Sequence, residues 1–261
     1  MKHRIAFAGL ALFALLALPR PALAAFHLME VEQVIGGVGG DPNAQAVQLV
    51  MRTGGQNLLN GVGRLVARDA AGANPVTLIN FNSNPTNAVG CSSRVLITTA
   101  AMNAKTTPAV TGAFTMTAMP ASYLAAGSLT FEQTSGTIYW RVSWGGGGYT
   151  GANTLQAGTL AAGTGNDDDG NAAPPFGGVL VSAAAQALKF SPACPAPSTN
   201  NLADYANTAG AAVLVNNAGT AFTVVAPVPT PGLPGASKFL LPIALGLMVV
   251  AFALQRRRSV A

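Results

Sequence analysis

The chain has 261 residues, only 9% of them charged, with 14 Lys and Arg against nine Asp and Glu and a pI of about 9.6. The basic excess sits at the ends. Lys2, Arg4 and Arg20 lie in the first 24 residues and Lys238, Arg256, Arg257 and Arg258 near the last, which leaves seven basic residues against nine acidic ones between them. The usual inference from a basic chain to nucleic acid is therefore excluded for the middle.

In chain order, Met1-Lys2-His3-Arg4 is a positive n-region, and residues 5–18 are continuously apolar. Pro19-Arg20-Pro21 breaks that run, and Ala22-Leu23-Ala24 places small residues at −3 and −1. Residues 1–24 read as a signal peptide, cleaved before Ala25 by signal peptidase after Sec-type export. The other reading is an uncleaved anchor, for which the run is short.

Residues 25–225 have the length of one domain and are rich in small and β-branched residues, which suit sheets and turns. Glu30 to Ile35 alternates as a half-buried strand does, and Gly36 to Pro42 is a turn. Strands follow at 46–52 and 94–99. Residues 64–69 and 76–81 form a hairpin, and Ala100 to Ala104 a helical turn. Residues 129–132 and 137–144 form the clearest hairpin, with Ser135-Gly136 at its bend. Residues 179–181 and 187–190 are weaker strand candidates. Many short strands without a long amphipathic helix predict an all-β sandwich, flanked by an N-terminal signal helix and a C-terminal transmembrane helix.

Cys91 and Cys194 are the two cysteines. An even count in an exported chain predicts a disulfide. Gly145 to Gly178 is a Gly- and Asn/Asp-rich loop. Within it Asp167, Asp168 and Asp169, between Asn166 and Gly170-Asn171, offer hard oxygen ligands, so a calcium site and a solvated acidic turn are both open. Tyr139, Trp140, Trp144 and Tyr149 offer aromatic faces for a sugar. Tyr139 and Trp140 should point to opposite sides of their strand, so at least one belongs to the core. Trp144 and Tyr149 are left as the stacking candidates.

Residues 226–238 are a Pro-rich linker. Residues 239–254 carry no charge and span about 24 Å as a helix, slightly short of a bilayer core. Arg256, Arg257 and Arg258 follow in a basic end, residues 255–261, expected on the cytoplasmic side.

Linker, short apolar helix and arginine cluster together resemble the sorting tails of the PEP-CTERM class, with Pro229-Thr230-Pro231 where Pro-Glu-Pro is usual. That resemblance implies an exosortase-like sorting enzyme as partner. The middle resembles lamin-tail-like domains in Val47-Gln48-Leu49, Gly63-Arg64-Leu65-Val66, Arg94-Val95-Leu96-Ile97, Trp144-Gly145-Gly146 and Asn201-Leu202-Ala203-Asp204-Tyr205. Gln48 stands where that family has an acidic residue. The resemblance implies an immunoglobulin-like sandwich and an accessory or adhesive role.

Catalytic machinery is not expected. After cleavage His27 is the only histidine, and the chain has no Gly-x-Ser-x-Gly, phosphate-loop or His-Glu-x-x-His pattern. Glu30 and Glu32, two apart on a strand, are either a carboxylate pair or the polar face of an edge strand. The expected function is a surface-anchored structural or adhesive module retained in extracellular polysaccharide. The alternative is a calcium-assisted carbohydrate-binding module.

Overall fold

A strand buried on one face alternates apolar with polar residues, whereas a strand buried on both faces does not. Ala46-Val47-Gln48-Leu49-Val50-Met51 is of the second kind, and all six residues are buried. The computed structural model describes residues 26–151, 174–196 and 201–226, and this segment lies at the middle of what it shows.

In chain order the strands are β1 (Met29–Ile35), β2 (Ala46–Met51), β3 (Gly63–Arg68), β4 (Val76–Asn80), β5 (Arg94–Thr98), β6 (Thr106–Thr107) and β7 (Phe114–Thr115). They continue with β8 (Gly127–Gln133), β9 (Ile138–Trp144), β10 (Leu188–Phe190), β11 (Tyr205–Asn207), β12 (Val213–Val215) and β13 (Ala221–Val224). Three sheets result among the described residues: β11-β10-β1-β2-β5-β7, β4-β3-β8-β9 and β12-β13-β6. Pairing is antiparallel except between β5 and β7.

The six- and four-stranded sheets enclose the main core of a β-sandwich. Met29, Val31, Val47, Leu49, Val95 and Ile97 meet Leu65, Ala67, Leu129, Phe131, Trp140 and Val142 there. On the other side of β1, β2 and β5 a second core gathers Ile35, Ala46 and Leu96 with Leu214, Phe222 and Val224 of the three-stranded sheet. The expected polar face of β1 is thereby covered, and β1 is an interior strand between β10 and β2 rather than an edge.

Three β-bulges interrupt the period of two, each leaving one residue unpaired and re-aimed. In β1 the register passes from Val31↔Leu49 to Gln33↔Gln48, so Glu32 is extra. In β4 the extra residue is Leu78, and in β9 it is Tyr139. The last bulge explains why Tyr139 and Trp140, expected on opposite faces, both join the main core.

The hairpins β3–β4 and β8–β9, the strands β2 and β5 and the 3-10 turn Ala100–Lys105 fall where the sequence places them. Residues 179–181 are not a strand; Leu180 is buried in the main core by an irregular segment whose amide donates to the Leu124 carbonyl. The signal and transmembrane helices expected at 1–24 and 239–254 lie outside the described residues. Among those described, no helix is long and apolar enough to cross a membrane.

Cys91 and Cys194 are joined by a disulfide, with Cα atoms 5.7 Å apart and a separation of 103 positions in sequence. Closing a loop of that length removes unfolded-chain entropy worth about 4–5 kcal/mol. Replacing both cysteines by serine is expected to lower the unfolding free energy by about that amount. Urea titration of the two proteins checks it, with a lower midpoint and a steeper slope as the expected form, because the unbridged denatured chain is less compact.

Candidate functional site

Two clusters of charged side chains stand out among the described residues. The first lies on the outer face of the six-stranded sheet, beside the disulfide. Glu30, Val50 and Arg94 stand in one row across β1, β2 and β5. The bulge at Glu32 frees its carboxylate to reach the same place. Arg94 donates to it from Nε at 2.8 Å and Nη2 at 3.0 Å, and Gln48 donates from Nε2 at 2.6 Å. Such a two-pronged guanidinium–carboxylate pair fixes geometry as well as charge.

Gln48 has a second task. Its Oε1 accepts the Val215 amide of β12, so one side chain ties the six-stranded sheet to the three-stranded one. A carboxylate at this position would lack the donor that Glu32 requires. Both bonds together account for a glutamine at this position. Gln33 makes a parallel tie, donating to the Val213 carbonyl at 3.0 Å.

Glu30 is 1% exposed, and its Oε2 makes no hydrogen bond among the described residues. Burial pushes its pKa up to about 8, against the opposing pull of Arg52, with Glu32 adding to the rise and Arg94 again opposing it. Arg52 caps the Trp140 ring at 5.8 Å and donates from Nε to the Pro195 carbonyl next to Cys194.

The second cluster lies on the outer face of the four-stranded sheet. Glu132 is fully buried, yet it accepts from Arg64 Nε at 2.7 Å, from Arg68 Nη2 at 3.1 Å and from the Thr130 hydroxyl at 3.0 Å. Two guanidinium groups on one carboxylate meet the requirement that a buried charge be paired and hydrogen-bonded.

Trp144 and Tyr149 do not offer sugar-stacking faces. Trp144 is fully buried and donates its indole N–H to the Tyr123 carbonyl at 2.9 Å, while Tyr149 is 5% exposed. Gly145, at φ +102°, turns the chain directly after Trp144, where a Cβ would stand 2.4 Å from that of Ala126. Asp167, Asp168 and Asp169 lie outside the described residues, as do Pro229, Thr230, Pro231, Arg256, Arg257 and Arg258. Among the described residues no group of three or more His, Cys, Asp or Glu is placed to hold a metal ion. His27 rests against the Tyr139 ring at 6.0 Å, where burial lowers its pKa.

Sequence reasoning missed the bond that organises the main core. Trp140 Nε1 donates to the Tyr205 hydroxyl at 2.7 Å, which donates to the Val31 carbonyl at 2.6 Å, so four-stranded sheet, edge strand and β1 are joined through one hydroxyl. It also missed Asn217, which accepts the Asn87 amide and donates to the Asn87 and Arg94 carbonyls.

Comparison with family models, curated proteins and solved structures finds no match to this chain.

Between its ordinary value of 4.5 and about 8, Glu30 holds a proton in the folded chain that the unfolded chain has lost. Its contribution to stability is therefore complete below about pH 4.5 and lost as pH rises towards 8. Glu30→Gln is expected to be near neutral at pH 4.5 and to stabilise by roughly 3–5 kcal/mol at pH 8. Guanidinium titrations of both proteins at the two pH values provide the comparison.

Proposed function

We propose that this chain is an exported, envelope-anchored structural or adhesive module, without catalytic activity, built on an immunoglobulin-like sandwich. The observation that carries the reading is where the charges go. Glu32 is engaged by Arg94 and Gln48, and Glu132 by Arg64 and Arg68, so both carboxylates hold sheets together instead of facing a substrate. Two facing, mostly antiparallel sheets around a buried tryptophan are the arrangement that immunoglobulin-like domains use.

The cross-link supports an oxidising destination, since disulfides persist outside the cytosol. The route is Sec-type export with removal of residues 1–24 by signal peptidase. The tail then places residues 239–254 in the membrane with Arg256, Arg257 and Arg258 on the cytoplasmic side. An exosortase-like enzyme acting near Pro229-Thr230-Pro231 would transfer the domain to the extracellular polysaccharide.

Deleting residues 237–261 is expected to release a folded domain into the periplasm or medium while the full-length chain stays with the membranes. Cell fractionation with thermal melting of both forms tests this. A truncated form that remains in the membrane fraction, or that melts well below the full-length protein, overturns the anchor.

A further inference from the structure

At one side of the sandwich the six- and four-stranded sheets part, and a cleft of about 390 Å³ opens between their edges. One wall is Ile79, Asn80 and Asn82, at the end of β4 and just beyond it; the other is Ala113, Phe114 and Thr115, around β7. The volume lies within the ~300–1,000 Å³ range of small-molecule sites.

Backbone geometry sets the walls. Ala113 and Met116 donate their amides to the Leu96 and Thr98 carbonyls, which lays β7 along β5. Gly112 permits that approach, because a Cβ there would stand 2.7 Å from the Thr98 hydroxyl and 3.2 Å from the Leu96 carbonyl. The Phe81 and Phe114 rings meet edge to face at 5.0 Å and close the main core beneath the cleft. Phe81 points inwards, so its neighbours Asn80 and Asn82 project together to the opposite side, and both are exposed.

The chemistry of the lining is uniform. It holds two side-chain amides, one hydroxyl and a small apolar surface from Ile79, Ala113 and Phe114, with no titratable side chain. The side-chain amides of Asn80 and Asn82 make no hydrogen bond among the described residues and are available to an occupant of the cleft. Amides and hydroxyls both donate and accept, as the hydroxyls of an uncharged sugar do, and an apolar patch suits the C–H face of the ring.

We propose that this cleft binds a neutral saccharide residue without the help of a metal ion. An extended peptide adding to the β4 edge is the competing occupant, and the edge is ill suited to it. The bulge at Leu78 breaks the ladder, and the Leu78 carbonyl already accepts the Thr117 amide at 2.9 Å. The proposal is independent of how the chain is exported or anchored, so its failure would leave the structural reading of the fold intact.

The test is calorimetric titration of the full-length protein in detergent, with EDTA present. The probes are cellotetraose, maltotetraose and mannotetraose, with tetragalacturonate and a blocked Thr-Val-Thr-Val peptide as comparators. Binding of at least one neutral tetrasaccharide, in preference to tetragalacturonate, is expected. The double variant Asn80→Ala/Asn82→Ala should weaken it about tenfold or more, the loss of one or two hydrogen bonds. Ala113→Trp, which fills the cleft and spares both amides, should abolish it, with melting temperatures of both variants near that of the parent. Failure of every neutral tetrasaccharide to bind, binding indifferent to both variants, or peptide binding that the variants remove would each overturn the proposal.

Discussion

Covering a sheet on both faces imposes a condition that the rest of this molecule obeys: each polar group on the covered side has to be satisfied by the protein. β1, β2 and β5 carry Glu32, Gln33, Gln48 and Arg94 on the face turned towards the three-stranded sheet or beside it. Gln48 is the pivot because it is the one side chain that both donates to Glu32 and accepts from β12. That pair of bonds, with the Gln33 bond to the Val213 carbonyl, fastens the small sheet over the second core. An unmet buried partner costs about 1–3 kcal/mol, comparable to the burial of a whole aliphatic side chain.

Against that background Glu30 is the ionisable exception, alongside the Gln33 Oε1, which is also buried without a hydrogen bond among the described residues. Glu30 sits in the same row as Arg94, but Arg94 is fully engaged by Glu32. Glu30 is left to keep its proton, and a neutral carboxyl in this position needs no counter-ion. The arrangement gives two carboxylates two residues apart different surroundings: Glu32, re-aimed by its bulge, is paired with Arg94, whereas burial holds Glu30 well above its ordinary value.

How far the sequence is legible follows from the same features. The run 46–51 shows burial on both faces because only Gln48 interrupts it, and the hairpin turning at Gly136 declares itself by alternation and a positive-φ glycine. The bulges are invisible to period-two reasoning, which is why Tyr139 and Glu32 point where alternation does not send them. The third sheet is hidden for another reason. β6 has two residues and β12 three, too few for any period; β6 pairs with β13 more than a hundred residues on, and β12, paired locally with β13, is tied to the six-stranded sheet by Gln48, also more than a hundred residues away. The aromatic candidates fared differently from the cysteines. Pairing of Cys91 with Cys194 is expected from an even cysteine count in a chain read as exported, while the burial of Trp144 depends on Gly145 folding the chain back over it, which composition does not reveal.

The position of the disulfide along the chain has a mechanical consequence. Strands β5 to β10 lie entirely between Cys91 and Cys194, inside a covalent ring, and tension applied at the two ends of the chain passes through the sulfur bridge and bypasses them. The enclosed stretch, 103 peptide steps from cysteine to cysteine and about 350 Å of extended contour, cannot lengthen while the bridge is intact. A single break in the backbone between the two cysteines likewise leaves the pieces tethered. β8 and β9, which carry Phe131 and Trp140 into the main core, are thus held in place even when β1 to β4, outside the ring, are being pulled away.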